Sequence, residues 1–135
     1  MFAFFGLFAD PVGDVPRRIS EIWPDLKPIR IDRPVSVVAV RFTEHHYEPE
    51  REELPELVIQ QIERLSAESP AARFLLLRSE CFGENCENWG QIFRNGTLAL
   101  QADGEKALGR LIAYFGVDLG PDEIFDPLSR NFAWD

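Results

Sequence analysis

The chain has 135 residues, 45% of them hydrophobic and 11 of them Phe. That length fits a single domain over residues 1–135, and that apolar content supports a packed core and argues against disorder. A net charge of −9 argues against nucleic acid and anionic membranes as partners, since both select a basic surface. It suits a soluble protein, or one that meets a basic partner.

The N-terminus, MFAFFGLFAD, is apolar but has no positive lead and no small-residue cleavage site, and it is too short to span a bilayer. It reads as a retained strand from Phe2 to Phe8. Phe2, Phe4 and Phe8 share one face, and Phe5 and Leu7 the other. A strand apolar on both faces belongs at the centre of a sheet. No other run approaches membrane length. With no export signal, the expected compartment is the cytoplasm, where Cys81 and Cys86 are expected as thiols.

Asp14 is placed to cap a short helix with Pro16 in its first turn. Val15, Ile19, Ile22 and Trp23 follow at helical spacing, and Pro24 ends it. Leu26 to Asp32 is a weak extended segment that Pro28 assigns to an edge. Past Pro34, Val35 to Phe42 is a β-branched run with strong strand preference. Thr43 to Glu53 is polar and reads as a loop carrying His45, His46 and Tyr47. A helix is predicted from Arg51 or Glu52 to Ala67, with Leu54, Leu57, Val58, Ile62 and Leu65 as its buried stripe. Pro55 is acceptable only in its first turn, and Glu50, Glu52, Glu53 and Glu56 favour that end through the helix dipole.

Residues 73–100, RFLLLRSECFGENCENWGQIFRNGTLAL, predict three antiparallel strands: Phe74–Cys81, Trp89–Arg94 and Thr97–Leu100. Asn95-Gly96 joins the last two, both residues tolerating the positive φ of a type I′ turn. Asp103 is placed to cap a final helix with Ala107, Leu108, Leu111, Ile112 and Phe115 on its core face and Gly116 as its stop. The tail, 117–135, has a helical turn after Pro121, and its spaced Ile124, Phe125, Leu128, Phe132 and Trp134 predict that it packs back onto the domain. The order β-α-β-β-α-β-β-β-α, with hairpins as the best local pairs, gives an α+β fold. A mainly antiparallel sheet is expected, with helices packed on one face.

Chemistry-bearing residues gather at the bend between the first two strands of that unit. The C-x₄-C spacing of Cys81 and Cys86 is allowed for zinc, but a site needs a second ligand pair, and adjacent His45 and His46 project poorly toward one metal. No metal and no cofactor is therefore expected. A Cys–His dyad would lack an orienting third residue, and the common nucleotide, zinc-protease and hydrolase signatures are absent. A disulfide across the bend is geometrically conceivable but disfavoured in a reducing cytoplasm, and two partly buried thiols at a strand end are the expected state of the pair.

The acids are unevenly spread. Residues 44–70 hold eight against two bases, a net of −6, and residues 116–135 hold five against Arg130 alone, a net of −4. Solvated faces explain such runs, and so does a docking surface for a cation-rich partner. Glu80 and its neighbours at the bend divide the same way: Arg78 or Arg94 is a natural partner for a carboxylate on that strand. Aromatics beside acids also describe a protein-binding hot spot. The residues so selected are Glu80, Glu84, Glu87 and Trp89 of the bend, with Glu48 and Glu50 of the acidic loop.

The segment ECFGENCENWGQIFRNG, a strand, a Gly/Cys bend and a returning strand, resembles a feature of small acidic bacterial proteins, among them immunity proteins of polymorphic toxin systems. That resemblance covers residues 73–100 and implies a stoichiometric inhibitor of a basic toxin, often a nuclease, with carboxylates standing in for phosphates. It implies a protein-binding module and no enzyme. The alternatives are a small enzyme using the Cys81/Cys86/Glu80 bend and a cytoplasmic domain with no activity of its own.

Overall fold

The computed structural model describes residues 2–43, 45–46, 55–83, 85–104, 106–129 and 132–134. Six strands form one antiparallel sheet: β1 (Phe2–Ala9), β2 (Ile29–Ile31), β3 (Val37–Arg41), β4 (Phe74–Phe82), β5 (Asn85–Arg94) and β6 (Thr97–Asp103), in the spatial order β2-β3-β1-β4-β5-β6. Three helices, α1 (Val15–Ile22), α2 (Glu56–Glu68) and α3 (Ala107–Ala113), and a 3-10 turn at Asp126–Leu128 complete the order. The α+β class and the element order are those the sequence predicts.

The expected placement of the helices on one face is corrected. Phe5, Leu7, Val38, Val40, Phe74, Leu76 and Phe93 meet α1 and α2 through Val15, Ile19, Val58, Ile62 and Leu65. On the opposite face, Phe4, Phe8, Leu75, Leu77 and Ile92 meet Leu108, Leu111 and Ile112 of α3 and Phe115 just past it, with the tail laid beside them. The physical reason lies in the central strands. β1 and the start of β4 are apolar at every position, and both of their faces must be removed from water. The tail packs back as expected: the Phe125 ring lies 5.3 Å from Phe8, and Trp134 lies 5.2 Å from Phe4.

Two strand glycines mark close approach of neighbouring groups. A Cβ on Gly6 would lie 2.7 Å from the Val40 carbonyl oxygen, and one on Gly90 would lie 2.8 Å from that of Leu76 and 2.9 Å from Leu111 Cδ1. Gly90 thus lets α3 sit down on the β4–β5 ladder. At the far end of β5, Asn95 and Gly96 both have positive φ, 53° and 79°, as the predicted turn demands. Gly96 N donates to Ser66 Oγ at 2.9 Å, which docks this turn on α2.

Several element ends depart from expectation: β5 begins at Asn85, four residues before Trp89, β6 runs on to Asp103, and β3 begins at Val37. α2 begins at Glu56, after an extended Pro55 as N-cap; Arg51, Glu52, Glu53 and Leu54 lie outside the described residues. Leu57 is 67% exposed, because at helical spacing it lies about 100° round from Val58, off the buried stripe of Val58, Ile62 and Leu65. Asp103 ends β6 and does not cap α3; Lys106 takes the N-cap position with φ 64°.

A half-buried ion pair ties the ends of β1, β4 and α3 together. The Asp10 carboxylate accepts from Arg73 N at 2.7 Å, Nε at 2.7 Å and Nη2 at 3.0 Å. Arg73 Nη1 donates to the Tyr114 carbonyl at 3.2 Å, and the guanidinium lies 4.8 Å from the Phe115 ring centroid. The bonds to Asp10 first, and its charge next, raise the Arg73 pKa above the usual arginine value, against the opposing effect of burial.

Candidate functional site

β4 and β5 form a hairpin in strict register, so each cross-strand pair shares a face of the sheet. Down one face run Phe74/Phe93, Leu76/Gln91, Arg78/Trp89, Glu80/Glu87 and Phe82/Asn85. Down the other run Leu75/Ile92, Leu77/Gly90, Ser79/Asn88 and Cys81/Cys86. Both faces begin apolar under their helices and turn polar at the same level. The hairpin end is therefore two-sided, with different chemistry on each side.

On the α2 side, Arg78 is buried, donates through Nη2 to Glu80 Oε1 at 3.2 Å, and lies 5.2 Å from the Trp89 ring centroid. Glu87 is exposed directly opposite Glu80. Phe82, at the tip, is 59% exposed. Of the residues selected from the sequence, the fold gathers Glu80, Glu87 and Trp89 on this one face. Glu84, Glu48, Glu50 and Tyr47 lie outside the described residues.

On the α3 side, Cys81 and Cys86 are joined in a disulfide, with their Cα atoms 4.0 Å apart. This corrects the expectation of two thiols. The register sets the two residues directly opposite each other at the hairpin end, and such proximity is what a bridge requires. Sequence spacing alone could not show it. A disulfide persists in oxidising surroundings, so the cysteines give no support to a cytoplasmic setting. Glu80 points to the opposite face, and the Cys81/Cys86/Glu80 constellation is not assembled at one point.

Beside the disulfide lies a cleft of about 840 Å³ between the hairpin end, the N-terminus of α3 and residues 121–129. Its floor is Ser79 and Asn88, 1% and 9% exposed, and neither Ser79 Oγ nor Asn88 Oδ1 has a hydrogen-bond partner. Lys106, Asp122, Glu123 and Asp126 stand around it. Sequence reasoning missed this site. The available signal was the break in the Leu75, Leu77, Ser79 alternation while the strand is still deep in the sheet.

The histidine loop is engaged locally. The Thr43 N–H donates to His46 Nδ1 at 3.3 Å, His46 Nε2 faces Asp25 Oδ2 at 3.2 Å, and the ring packs on Phe42 at 5.5 Å. Among the described residues, no group of three or more His, Cys, Asp or Glu side chains is placed to hold a metal ion, and no helix is long and apolar enough to cross a membrane. No protein-family model, no curated protein and no solved structure matches the chain.

Proposed function

We propose that the chain is a protein-binding module for a basic partner, with the α2-side face of the β4–β5 hairpin end as its contact surface. The observation that best supports this is the Glu80–Glu87 pair, two carboxylates directly opposite across the ladder. Like charges so placed repel. Arg78 pairs with Glu80, whereas among the described residues Glu87 makes no ion pair. A lysine or arginine from a partner, seated between them, relieves the repulsion. Exposed Phe82 and half-buried Trp89 supply the apolar contact area that makes a hot spot beside it.

Within that reading the role is that of an immunity-type inhibitor, neutralising a basic toxin by one-to-one coverage of a site built to hold phosphates. Such an inhibitor works in the cytoplasm, where the Cys81–Cys86 bond is open to reduction.

The test is association with the basic C-terminal domain of a toxin encoded by the neighbouring gene, followed by biolayer interferometry across ionic strength. The on-rate is expected to fall steeply with salt, and Glu87→Lys to weaken binding about tenfold or more, the order of one desolvated charge pair. Salt-independent binding, or an unaffected Glu87→Lys variant, would remove the acidic-face mechanism.

A further inference from the structure

The cleft on the α3 side is a separate matter, because its chemistry owes nothing to the acidic face. We infer that it is a binding site for a small donor-rich cation, an alkylammonium or guanidinium group on a short apolar stem. Two observations converge. The first is at the floor. Ser79 and Asn88 pair across the β4–β5 ladder, both are more than nine-tenths buried, and each carries an oxygen with no partner. Buried polar atoms are nearly always paired, because an unmade hydrogen bond costs the desolvation of the group. Two such oxygens side by side, lining one open cleft, are acceptors waiting for a donor.

The second is the charge around them. Among the described residues of the rim, Asp122, Glu123 and Asp126 stand against one cation, Lys106, a net −2 that favours a positive ligand. The wall is apolar where a stem would lie: the Cys81–Cys86 bridge, Leu108 and Phe125. The volume falls within the range of small-molecule sites, about 300–1,000 Å³. Backbone conformation agrees with a shaped site. Outside the Asn95-Gly96 turn, the described non-glycine residues with positive φ are Lys106 at 64° and Glu123 at 48°, and both line this cleft. Such conformations cost free energy and collect at functional sites.

Free cations and basic side chains of a peptide share this chemistry, and the probes separate them. Agmatine and 1,4-diaminobutane represent the free cations, and a terminally blocked Gly-Arg-Gly tripeptide the side chain. n-Butanol is the uncharged control. Binding is read by calorimetry and by the NMR shift of the Asn88 side-chain amide. Saturable binding of the free cations assigns a small-molecule site; binding of the tripeptide alone assigns a side-chain pocket. Ser79→Ala and Asn88→Leu should each weaken binding about tenfold or more, the loss of one hydrogen bond to a charged group. The same variants should keep or raise the melting temperature, since each removes an unpaired buried group. Failure of all three cationic probes, equal binding of n-butanol, or a marked loss of stability in both variants would overturn the assignment. None of these outcomes touches the Glu87→Lys test on the opposite face.

Discussion

The Asp10–Arg73 pair gives the most direct test of how the layers are held. Asp10→Ala deletes three hydrogen bonds from one carboxylate and leaves a guanidinium facing an apolar gap between β1 and the end of α3. Removing one partner of a fully buried pair costs about 3–5 kcal/mol. The Asp10 side chain is 11% exposed but that of Arg73 is 29%, so water recovers part of the loss. Arg73 also keeps the Tyr114 carbonyl and the Phe115 ring. The expected cost is therefore about 2–3 kcal/mol, which for a chain of this size lowers Tm by roughly 7–11 °C. Urea and thermal unfolding followed by circular dichroism measure it. A double variant, Asp10→Ala with Arg73→Met, should lose clearly less than the two single losses combined, because no orphaned charge remains. A single-variant cost under about 0.5 kcal/mol, or strict additivity, would refute the idea that this pair joins the layers.

Gly90→Ala should destabilise by about 1–3 kcal/mol in urea unfolding, because the new methyl group meets the Leu76 carbonyl and Leu111; a neutral result would mean that α3 can ride away from the sheet. Breaking the Cys81–Cys86 bridge, whose cysteines are five positions apart, with reductant or by the double alanine variant should cost at most about 2 kcal/mol, the loop-closure value for so short a ring. A loss of double that would show that the bridge does more than restrain the unfolded chain. Glu68, whose pKa is lowered first by its hydrogen bond from Arg18, contributes stability that is present above its unfolded pKa and lost as pH falls through the folded one. Glu68→Gln should accordingly flatten the acid limb of the stability–pH curve slightly, the pair being exposed; an unchanged limb would assign no stabilising role to the Arg18–Glu68 contact.

Much of the sheet was legible in local chemistry. Asn95-Gly96 fixed one hairpin, and the apolar runs at Phe2–Phe8 and Phe74–Leu77 marked strands buried on both sides. That same two-sidedness implied cover on both faces, and the single-face expectation overlooked what β1 already required. Helix starts were harder. Pro55 fits either the first turn or the residue before it, and the spacing left Leu57 at the margin of the apolar stripe, where packing alone sets whether it is buried. Lys106 in a left-handed conformation has no sequence signal, since glycine or asparagine is the usual occupant. The disulfide was conceivable from the bend but set aside for a different reason: the inferred compartment outweighed geometry that only the cross-strand register could supply.

The two sides of the hairpin end share one cause and differ in consequence. β4 and β5 extend past the helices that cover them, and their pattern turns polar on both faces at Arg78 and Ser79. A strand end that simply entered water would carry its polar groups exposed and solvated. Arg78, Ser79 and Asn88 are buried. On one face Arg78 meets Glu80 and Trp89, Gln91 Oε1 further along has no partner, and at the hairpin end the tension moves outward to the facing carboxylates of Glu80 and Glu87. On the other it stays at the floor, where Ser79 and Asn88 have no partner, and no apolar replacement would incur that cost. Polar groups kept at a stability cost on rigid strands are what a preorganised site requires. The acidic face suits a large partner that brings its own apolar surface, whereas the cleft, walled and narrow, suits a single cationic group.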